Sequence, residues 1–518
     1  MPTDRPNVLF LLSDEHGYRY RSGRERASER AHTPTLDGLA ERGVAFRDAS
    51  CSVPLCTPSR VGLLTGREQR ECGGWDSSTL GPWTPLPDLQ TLPGAFAEAG
   101  YDTALVGKMH LGGDRQFVGF EERPYGDLTG GMGHQADPID PPDTGRGIFD
   151  TRSRTADAGA TAIPESAHQE SAVVRETLAW LREHDARSDD PWFLCASFSR
   201  PHFPLTAPRR HLRRYWPDGL GDPPVGADSD AGRHPSAAWS RADQGAGERT
   251  PEEERRARAA YAACVDYLDE LLGDLLGALD RDGLLEDTVV VYTSDHGEMA
   301  GEHGLWFKQT WHEASIRVPL LVETPAHRSG GRDPATVETP VSLLDLYPTL
   351  CGLAGVGYPD DLDGADLSDA VRTGAEPDRA PVVSDLLMPR RGEYACRVVR
   401  DGRYKYVGFR DAPELLFDVI ADPYERENLA AGGGPDDPAA GDALDRLRAH
   451  VEETVDFDAL EAQQERDREA LSAHDRDLPQ GTSGNMYHLP DGRVVDADTA
   501  LYEPSVVGDP EDLFGDKK

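Results

Sequence analysis

The amino-acid sequence predicts an α/β protein, in which a mostly parallel sheet is sandwiched by helices and a smaller α+β part with an antiparallel sheet follows. Short apolar segments alternate with amphipathic ones through residues 1–380, as expected for strands joined by crossover helices. After that point the pattern changes to a hairpin, one further strand and a helix. We therefore predict a large domain over residues 1–380 and a small domain with an extended tail over residues 381–518.

The amino-terminal part begins with a strand. Val8–Leu12 is an unbroken apolar run, which is typical of a strand buried on both faces. Gly100 follows an amphipathic segment at the position where many helices end in a left-handed residue. The pattern predicts these further elements in order: a helix at Thr35–Arg42, a strand at Val44–Phe46, a helix at Leu92–Ala99 and a strand at Thr103–Val106.

Two long polar stretches, Glu121–Pro164 and Asp218–Gly247, interrupt this alternation. A loop as long as Glu121–Pro164 inside a domain is usually functional or disordered. A long helix is predicted from Pro251, because proline suits the first helical position and glutamates follow it. Its apolar face carries Leu268, Leu271, Leu272, Leu275, Leu276 and Leu279. The other elements predicted here are a helix at Glu165–Arg182 and strands at Trp192–Phe198 and Thr288–Thr293.

The carboxyl-terminal part has a different pattern. Ala395–Val407 predicts a hairpin that turns on Asp401 and Gly402. Leu415–Val419 adds a strand and Ala439–Val455 a helix. The end of the chain is rich in Gly, Pro and Asp, which predicts an extended tail.

The charge is strongly acidic. The 518 residues include 54 basic and 93 acidic ones, which gives a net charge of −39. We therefore expect no nucleic-acid partner and no membrane partner. An acidic surface with few lysines suits a protein that stays soluble in high salt, and GC-rich coding explains the arginine bias equally well. The lysines are Lys108, Lys308, Lys405, Lys517 and Lys518.

The cysteines and the amino terminus limit the kinds of site and the cellular location that we expect. The seven cysteines are odd in number and form no C-x-x-C pair, which argues against a disulfide framework and against a zinc site. The apolar run Val8–Leu12 is too short for a signal sequence or a membrane span. We therefore expect a cytoplasmic protein.

Polar residues follow two of the predicted strands. Asp14 and Glu15 come after the first strand, and Asp295 and His296 come after the strand at Thr288–Thr293. Taken singly, such residues are more often a solvated strand end or a helix cap. Because the carboxyl ends of parallel strands meet at one edge of a sheet, we expect the three carboxylates and the imidazole to lie together. Oxygen-rich sites of this kind suit hard divalent cations.

Further candidate residues follow other strands. Gly107-Lys108-Met109-His110 follows one, and Arg200-Pro201-His202-Phe203-Pro204 follows another. A single histidine is more often structural than catalytic. Lys108 and Lys308 are more informative, because a compact ammonium is not interchangeable with a guanidinium where it meets an anionic oxygen.

A cysteine motif, Cys56-Thr57-Pro58-Ser59-Arg60, lies within the run Cys51–Arg67. By itself it is also typical of a buried cysteine before a helix. Together with Val106–His110, Arg200–Pro204 and the run from Ser294 to Lys308, it resembles the signature runs of the type I sulfatases. The resemblance covers most of residues 7–325, with a looser match at Leu416–Pro423. Gly107–Leu111, Gly119–Arg123 and Gly304–Lys308 are most similar to the choline-sulfatase and arylsulfatase branch.

This resemblance implies a fold and an activity. The fold would be the alkaline-phosphatase-like α/β sandwich with a small carboxyl-terminal sheet domain. The protein would hydrolyse sulfate monoesters, and a formylglycine-generating enzyme would oxidise Cys56 to formylglycine. The resemblance implies as catalytic residues Cys56, Arg60, Lys108, His110, His202 and Lys308.

The roles of these residues also follow from the resemblance. One hydroxyl of the formylglycine hydrate would attack sulfur, and Arg60 would support the hydrate. Lys108 and Lys308 would hold sulfate oxygens, and His202 would protonate the departing alcohol. His110 would take a proton from the second hydroxyl, so that sulfate leaves and the aldehyde forms again.

The resemblance implies a divalent metal held by Asp14, Glu15, Asp295, His296 and the oxidised Cys56. Calcium is the family default. Glu15 stands where many members have Asp or Gln, and His296 stands where many have Asn. Because an imidazole ligand also suits other ions, manganese and magnesium are left open.

The sequence leaves several alternatives. Choline sulfate, aryl sulfates and sulfated sugars all remain candidate substrates, and the oligomeric state is open, with a homo-oligomer among the alternatives. A phosphonate monoester hydrolase or phosphodiesterase of the same superfamily would share the motif and the metal carboxylates. A catalytically silent binding protein, in which Cys56 stays a thiol, is disfavoured because it has no need for the whole set of catalytic residues.

Overall fold

The computed structural model describes residues 5–21, 31–75, 86, 88–111, 117–125, 151–161, 163–217, 219–244, 249–379, 381–387, 394–474, 486–488 and 494–496. The strands are β1 Asn7–Asp14, β2 Val44–Ser50, β3 Asp102–Gly107, β4 Glu122–Tyr125, β5 Gly159–Ala160, β6 Trp192–Pro201, β7 Thr206–Ala207, β8 Thr288–Ser294, β9 Arg317–Glu323, β10 Ala335–Val337, β11 Val341–Ser342, β12 Val382–Leu386, β13 Cys396–Asp401, β14 Tyr404–Phe409, β15 Leu415–Asp418, β16 Met486–His488 and β17 Val494–Asp496.

The helices lie between these strands and after them. They are α1 Pro34–Arg42, α2 Cys56–Thr65, α3 Gln69–Cys72, α4 Leu92–Glu98, α5 Thr151–Ala156, α6 Gln169–Arg187, α7 Arg209–Leu212, α8 Asp230–Arg233, α9 Pro235–Asp243, α10 Pro251–Arg281, α11 Glu313–Ile316, α12 Pro325–Arg328, α13 Leu346–Ala354, α14 Ser368–Thr373, α15 Pro438–Thr454 and α16 Leu460–His474. No helix in the described part of the chain is both long and apolar enough to cross a membrane.

The large sheet has the strand order β10-β2-β9-β8-β1-β6-β3-β4, and β11 also pairs with β2. All of its strand pairs are parallel except the two made by β9, which runs antiparallel to β2 and β8. The predicted mostly parallel sheet is therefore confirmed. Its two faces are both covered, because Val8, Phe10 and Leu12 of β1 belong to one apolar core and Leu9 and Leu11 to another.

Helices cover each face of the large sheet. Side chains of α2, α4 and α13 pack in the first core, and side chains of α1, α6 and α10 pack in the second. The predicted long helix is α10, and it begins with a capping box between Thr250 and Glu253. Gly100 adopts the predicted left-handed conformation, with φ 78°. The predicted strands and helices of residues 1–380 are thus present, with ends shifted by a few residues.

The two polar stretches contain more regular structure than the sequence suggested. In the first, β4 pairs with β3 at the edge of the large sheet, and α5 and β5 follow residues 126–150, which lie outside the described residues. In the second, α8 and α9 form. The predicted loop at Glu121–Pro164 therefore contains regular elements, because short polar segments such as β4 are stabilised by tertiary partners. Trp180 Nε1 donates to Glu122 Oε2 at 2.7 Å, for example.

The second sheet is antiparallel, with the order β12-β13-β14-β15. The predicted hairpin is β13 and β14, and Gly402 has a left-handed φ of 63° in the turn. Leu444 and Leu447 of α15 pack in a separate small core on this sheet. The sequence did not predict α16, and most of the predicted tail lies outside the described residues, apart from the paired strands β16 and β17. The predicted domain boundary near residue 381 stays a prediction. Cys396 and Val398 of the second sheet pack in the same apolar core as the first face of the large sheet, so the core does not end at this residue.

A buried group of charges, which we call the inter-sheet ion cluster, joins the two sheets. Lys405 Nζ lies 3.3 Å from Glu313 Oε1 and also pairs with Glu425. Arg400 Nη1 lies 2.7 Å from Glu313 Oε2 and also pairs with Asp48. Its members are Asp48, Glu313, Arg317, Arg400, Lys405 and Glu425.

Candidate active site

The predicted site residues meet at one edge of the large sheet. Asp14 ends β1, His202 follows β6, and Asp295 follows β8. The carboxyl ends of parallel strands lie at the same edge, and for this reason residues far apart in sequence come together there. The structure brings to this edge all ten of them: Asp14, Glu15, Cys56, Arg60, Lys108, His110, His202, Asp295, His296 and Lys308.

Cys56 is the first residue of α2 and is buried. Its Sγ lies 3.8 Å from Asp14 Oδ1 and 3.2 Å from His296 Nε2. Burial alone would raise the pKa of the thiol, but Lys308, Lys108 and His296 hold it well below its usual value, and His110 adds to this effect. A cysteine at a helix amino terminus beside several cations is chemically activated, whereas an ordinary structural cysteine is inert.

Arg60 lies one turn further along α2 and is fully buried. Its Nε donates to Asp295 Oδ2 at 2.8 Å, and its Nη2 donates to Asp14 Oδ2 at 3.1 Å. Its Nη1 donates to the Lys108 carbonyl at 2.7 Å and to Ser197 Oγ at 3.0 Å. One guanidinium therefore links β1, β6 and the residues just after β3 and β8 to the helix that carries Cys56.

One group of side chains has the donor atoms of a metal site. Ligand atoms of Asp14, Cys56, Asp295 and His296 all lie within 4.8 Å of one another. His296 Nδ1 lies 3.0 Å from the Gly297 carbonyl, which orients the ring and leaves Nε2 toward the group. Burial lowers the pKa of His296, but Asp295 and Cys56 raise it to about 10, a sign of surplus negative charge at this point. This donor set fits a divalent cation.

Glu15 lies in a second, overlapping group with Asp14 and His202. Its backbone has a left-handed φ of 68°, and its N–H donates to Asp295 Oδ1 at 3.1 Å. Lys308 Nζ donates to Glu15 Oε2 at 2.9 Å, while the buried Oε1 makes no hydrogen bond within the described residues. Burial raises the pKa of Glu15, which Lys308 opposes and Glu298 reinforces. The structure thus sets Glu15 beside the four-residue group, with its carboxyl between Lys308 and Glu298.

The remaining candidates surround Asp14 and Cys56. Lys108 Nζ lies 2.7 Å from Asp14 Oδ2. His202 Nε2 lies 3.5 Å from Glu15 Oε2, and burial together with Lys308 and Lys108 lowers the pKa of His202 to about 3. The His110 carbonyl accepts from Thr57 Oγ1 at 2.6 Å, which ties the β3 loop to the start of α2.

Sequence reasoning missed three supporting residues. Ser197 binds Arg60, and Ser59 Oγ donates to the Asp295 carbonyl at 2.5 Å. Glu298 Oε1 accepts from the backbone N–H groups of Ala300 and Phe307, at 2.8 and 2.6 Å. Ser59 and Glu298 belong to runs that the sequence singled out, but nothing in the sequence indicates their partners.

Comparisons with known proteins agree with this geometry. The model of the family described as "Sulfatase" matches residues 6–356, and the model described as "N-sulphoglucosamine sulphohydrolase, C-terminal" matches residues 301–453. The chain is similar to a choline-sulfatase of Rhizobium meliloti, with 34% identity over 472 residues, 89% of each chain. It is also similar to an ulvan-active sulfatase of Formosa agariphila, with 30% identity over 82% of this chain and 77% of the relative.

A solved structure has the same fold. The phosphonate monoester hydrolase of Agrobacterium radiobacter superposes with a TM-score of 0.72 at 27% identity, over 89% of this chain and 96% of that one. The predicted alkaline-phosphatase-like fold is therefore confirmed. The chain belongs to the sulfatase family and is a sulfuric ester hydrolase.

Proposed function

We propose that the protein hydrolyses a sulfate monoester with a formylglycine made from Cys56, assisted by a divalent metal. The observation that carries this proposal is the environment of Cys56. Its side chain is buried at the start of a helix and contacts Asp14 and His296, and two lysines lower the pKa of its thiol. A formylglycine-generating enzyme of the host would carry out the oxidation.

The metal would be held by Asp14, Asp295, His296 and the oxidised Cys56. The carboxyl group of Glu15 would be a further ligand. Mostly oxygen ligands favour calcium, and the imidazole of His296 leaves manganese and magnesium as alternatives. When bound, the cation would neutralise negative charge on the sulfate and on the attacking oxygen.

The chain's own residues would perform the reaction in two halves. Cys56, once oxidised and hydrated, supplies a hydroxyl that loses its proton to solvent, and the resulting oxyanion forms a bond to sulfur while the bond from sulfur to the alcohol oxygen breaks. Lys108 and Lys308 hold the sulfate oxygens, and His202 donates a proton to the alcohol. Burial and then the lysine charges depress the pKa of His202. A bound sulfate offsets the lysine charges, so substrate binding favours the protonated acid.

The second half restores the enzyme. His110 accepts a proton from the other hydroxyl of the hydrate, the carbon–oxygen bond to sulfate breaks, and the aldehyde forms again. An aldehyde hydrate therefore releases sulfate by elimination, without attack by water on a shielded sulfate. Arg60, whose three side-chain nitrogens each donate within the protein, acts by fixing Asp14 and Asp295.

A second candidate function is hydrolysis of phosphonate monoesters or phosphodiesters. One observation favours it: the fold likeness to a phosphonate monoester hydrolase at 27% identity. The catalytically silent alternative is disfavoured by the assembled set of Lys108, His110, His202 and Lys308 around Cys56.

Rates on matched esters test these functions. The substrates are choline sulfate, 4-nitrophenyl sulfate and a 6-sulfated glucosamine, compared with 4-nitrophenyl phenylphosphonate. We expect kcat/KM to be higher for at least one sulfate ester than for the phosphonate, with Cys56→Ala inactive on all of them. A higher value for the phosphonate would support the second candidate, and no turnover of any ester by protein that carries formylglycine would contradict both.

A further inference from the structure

The loop between β6 and β7 carries His202, the residue that would protonate the departing alcohol. The backbone N–H of His202 donates to the Asp14 carbonyl at 3.1 Å, which ties the loop to the end of β1. Its Nδ1 lies 2.8 Å from the Phe203 carbonyl, and because a carbonyl can only accept, Nδ1 carries a hydrogen. Nε2 is therefore the nitrogen that faces the active site, where it lies 3.5 Å from Glu15 Oε2.

The side chain of Arg200 joins the two ends of this loop. Arg200 lies in β6, two residues before His202, and its Nη1 donates to the carbonyl of Thr206, the first residue of β7. The same nitrogen lies 3.1 Å from Cys264 Sγ in α10. Because this side chain connects the residues at which the chain enters and leaves the loop, it restricts the movement of His202 between them.

The other two nitrogens of Arg200 bind residues at the start of α6. Nε donates to Glu170 Oε2 at 3.2 Å, and Nη2 donates to His168 Nδ1 at 3.1 Å. Nδ1 of His168 can accept, because its Nε2 lies 3.3 Å from the Ile163 carbonyl and therefore carries the hydrogen of the ring. Burial and Arg200 lower the pKa of His168, which keeps this ring neutral. Arg200 thus fixes the loop to α6, β7 and α10.

The contacts of Arg200 lie outside the reacting centre. Within the part of the chain that the structure describes, Arg200 bonds to none of the ten predicted site residues. It acts on the reaction through the loop that carries His202. A general acid must lie within hydrogen-bond reach of the atom that it protonates, and a displacement of about 1 Å costs about a hundredfold in rate. Loss of the loop closure would therefore reduce proton donation by His202.

We propose that Arg200 is a positioning residue, which closes the loop over residues 200–206 and so holds His202 Nε2 where it protonates the departing alcohol. This inference rests on the proposed function. It predicts a selective effect of losing Arg200. Esters of weakly acidic alcohols should be slowed more than esters of acidic phenols, because an acidic phenol departs as its anion without a proton.

The test compares two aryl sulfates on metal-loaded enzyme that carries formylglycine. The substrates 4-nitrophenyl sulfate and 4-methylphenyl sulfate have nearly the same shape, but 4-methylphenol is much the weaker acid. In Arg200→Met we expect kcat/KM for the methylphenyl ester to fall about tenfold further than for the nitrophenyl ester, a part of the roughly 10²–10⁴-fold that a general acid contributes. Arg200→Lys, which keeps a cation beside Glu170, should give an intermediate ratio.

A second substitution separates positioning from a general structural role. In a His202→Ala background, Arg200→Met should leave the ratio of the two esters unchanged, because no acid remains to be positioned. A purely structural role would instead lower both esters by the same factor, with or without His202. An equal fall for both esters in Arg200→Met and in Arg200→Lys would overturn the proposal.

Arg397→Met is the matched control. Arg397 is also a buried arginine paired with a buried carboxylate, that of Asp385, whose Oδ2 lies 2.6 Å from Arg397 Nη2, but it lies in the second sheet. This variant should lose stability and keep the wild-type ratio of the two esters.

Protein that carries formylglycine and hydrolyses neither ester would contradict the proposed function itself. The crystal structure of Arg200→Lys then decides the role of Arg200 without an activity measurement. Displacement of His202 Nε2 from its place 3.5 Å from Glu15 Oε2 would support positioning, and an unmoved ring would overturn it.

Discussion

The ten predicted residues of the active site and the six residues of the inter-sheet ion cluster each include three buried carboxylates and three lysine or arginine side chains, but these charges face one another differently. In the inter-sheet cluster, Glu313 meets Lys405, Arg400 and Arg317 directly, so the charges neutralise each other. In the active site, Arg60, Lys108 and Lys308 take only some of the carboxylate oxygens.

The difference lies in the side-chain atoms of the active site that converge on one point without a cation between them. Oxygens of Asp14 and Asp295 converge with Cys56 Sγ and His296 Nε2. Negative groups that converge in a buried site are costly unless a ligand neutralises them. The same residue types thus stabilise the fold in one place and await a metal and a substrate in the other. Four predictions test this contrast.

The largest effect is expected for the nucleophile. Cys56→Ala should lower kcat/KM on the best sulfate ester by about 10⁴-fold or more, because the covalent step is lost. The matched control is Cys351→Ala, since Cys351 is also buried but lies in the core of α13. It should cost a little stability and leave kcat/KM unchanged. Activity in Cys56→Ala near the wild-type value would contradict the assignment.

The next prediction compares one lysine from each cluster. Lys405→Met should lower the free energy of unfolding by about 3–5 kcal/mol, because it leaves buried carboxylates uncompensated. Lys308→Met should lower kcat/KM by about 10²–10³-fold, the usual loss for one transition-state donor, and should cost less stability. Urea denaturation and steady-state kinetics on both variants measure this. Equal stability losses would remove the distinction between the two clusters.

The third prediction concerns the metal and uses no activity measurement. Adding Ca²⁺ to chelator-treated protein should raise the thermal midpoint, and at one hundred times Kd the stabilisation should reach about 2.7 kcal/mol. Asp14→Ala should abolish this shift, whereas Asp361→Ala, which removes a carboxylate whose side chain is 75% exposed, should keep it. A wild-type midpoint that does not respond to Ca²⁺, Mn²⁺ or Mg²⁺ would contradict the metal assignment.

The smallest effect is a pH dependence in the inter-sheet cluster. Burial raises the pKa of Glu313, but Arg400, Lys405 and Arg317 together hold it well below its usual 4.5. A lowered pKa in the folded state means that this glutamate stabilises the protein above pH 4.5 and that its contribution is lost as pH falls further. The stability difference between the wild type and Glu313→Gln should therefore be constant from pH 5 to 8 and shrink below 4.5. A stability difference that grows as pH falls would contradict the predicted direction of this pH dependence.

The sequence predicted the large sheet and the site residues for a physical reason. Strands buried on both faces, such as Val8–Leu12, are unbroken apolar runs, and ligands bind at their carboxyl ends. Asp14 and Asp295 could therefore be located without a structure, and the resemblance to the sulfatases added Cys56, Arg60 and the two histidines. The parts that escaped prediction depend on distant partners.

Three examples show this dependence. β4 forms because β3 pairs with it, although its own sequence is charged and contains proline. Lys405 and Glu313 are separated by 92 positions, and no local pattern marks either as half of a buried pair. Arg200 belongs to a run that the sequence singled out, but its partners in α6, β7 and α10 have no signal in the sequence.

The central claim is that Cys56 is the precursor of the nucleophile, and mass spectrometry of one peptide tests it most directly. Trypsin releases residues 48–60 from protein made in its native host, and activity on a sulfate ester is measured on the same sample. Conversion of Cys56 to formylglycine lowers the peptide mass by about 18 Da, and we expect the converted fraction to track the activity. A fully active sample whose Cys56 is wholly an unmodified thiol would contradict the account.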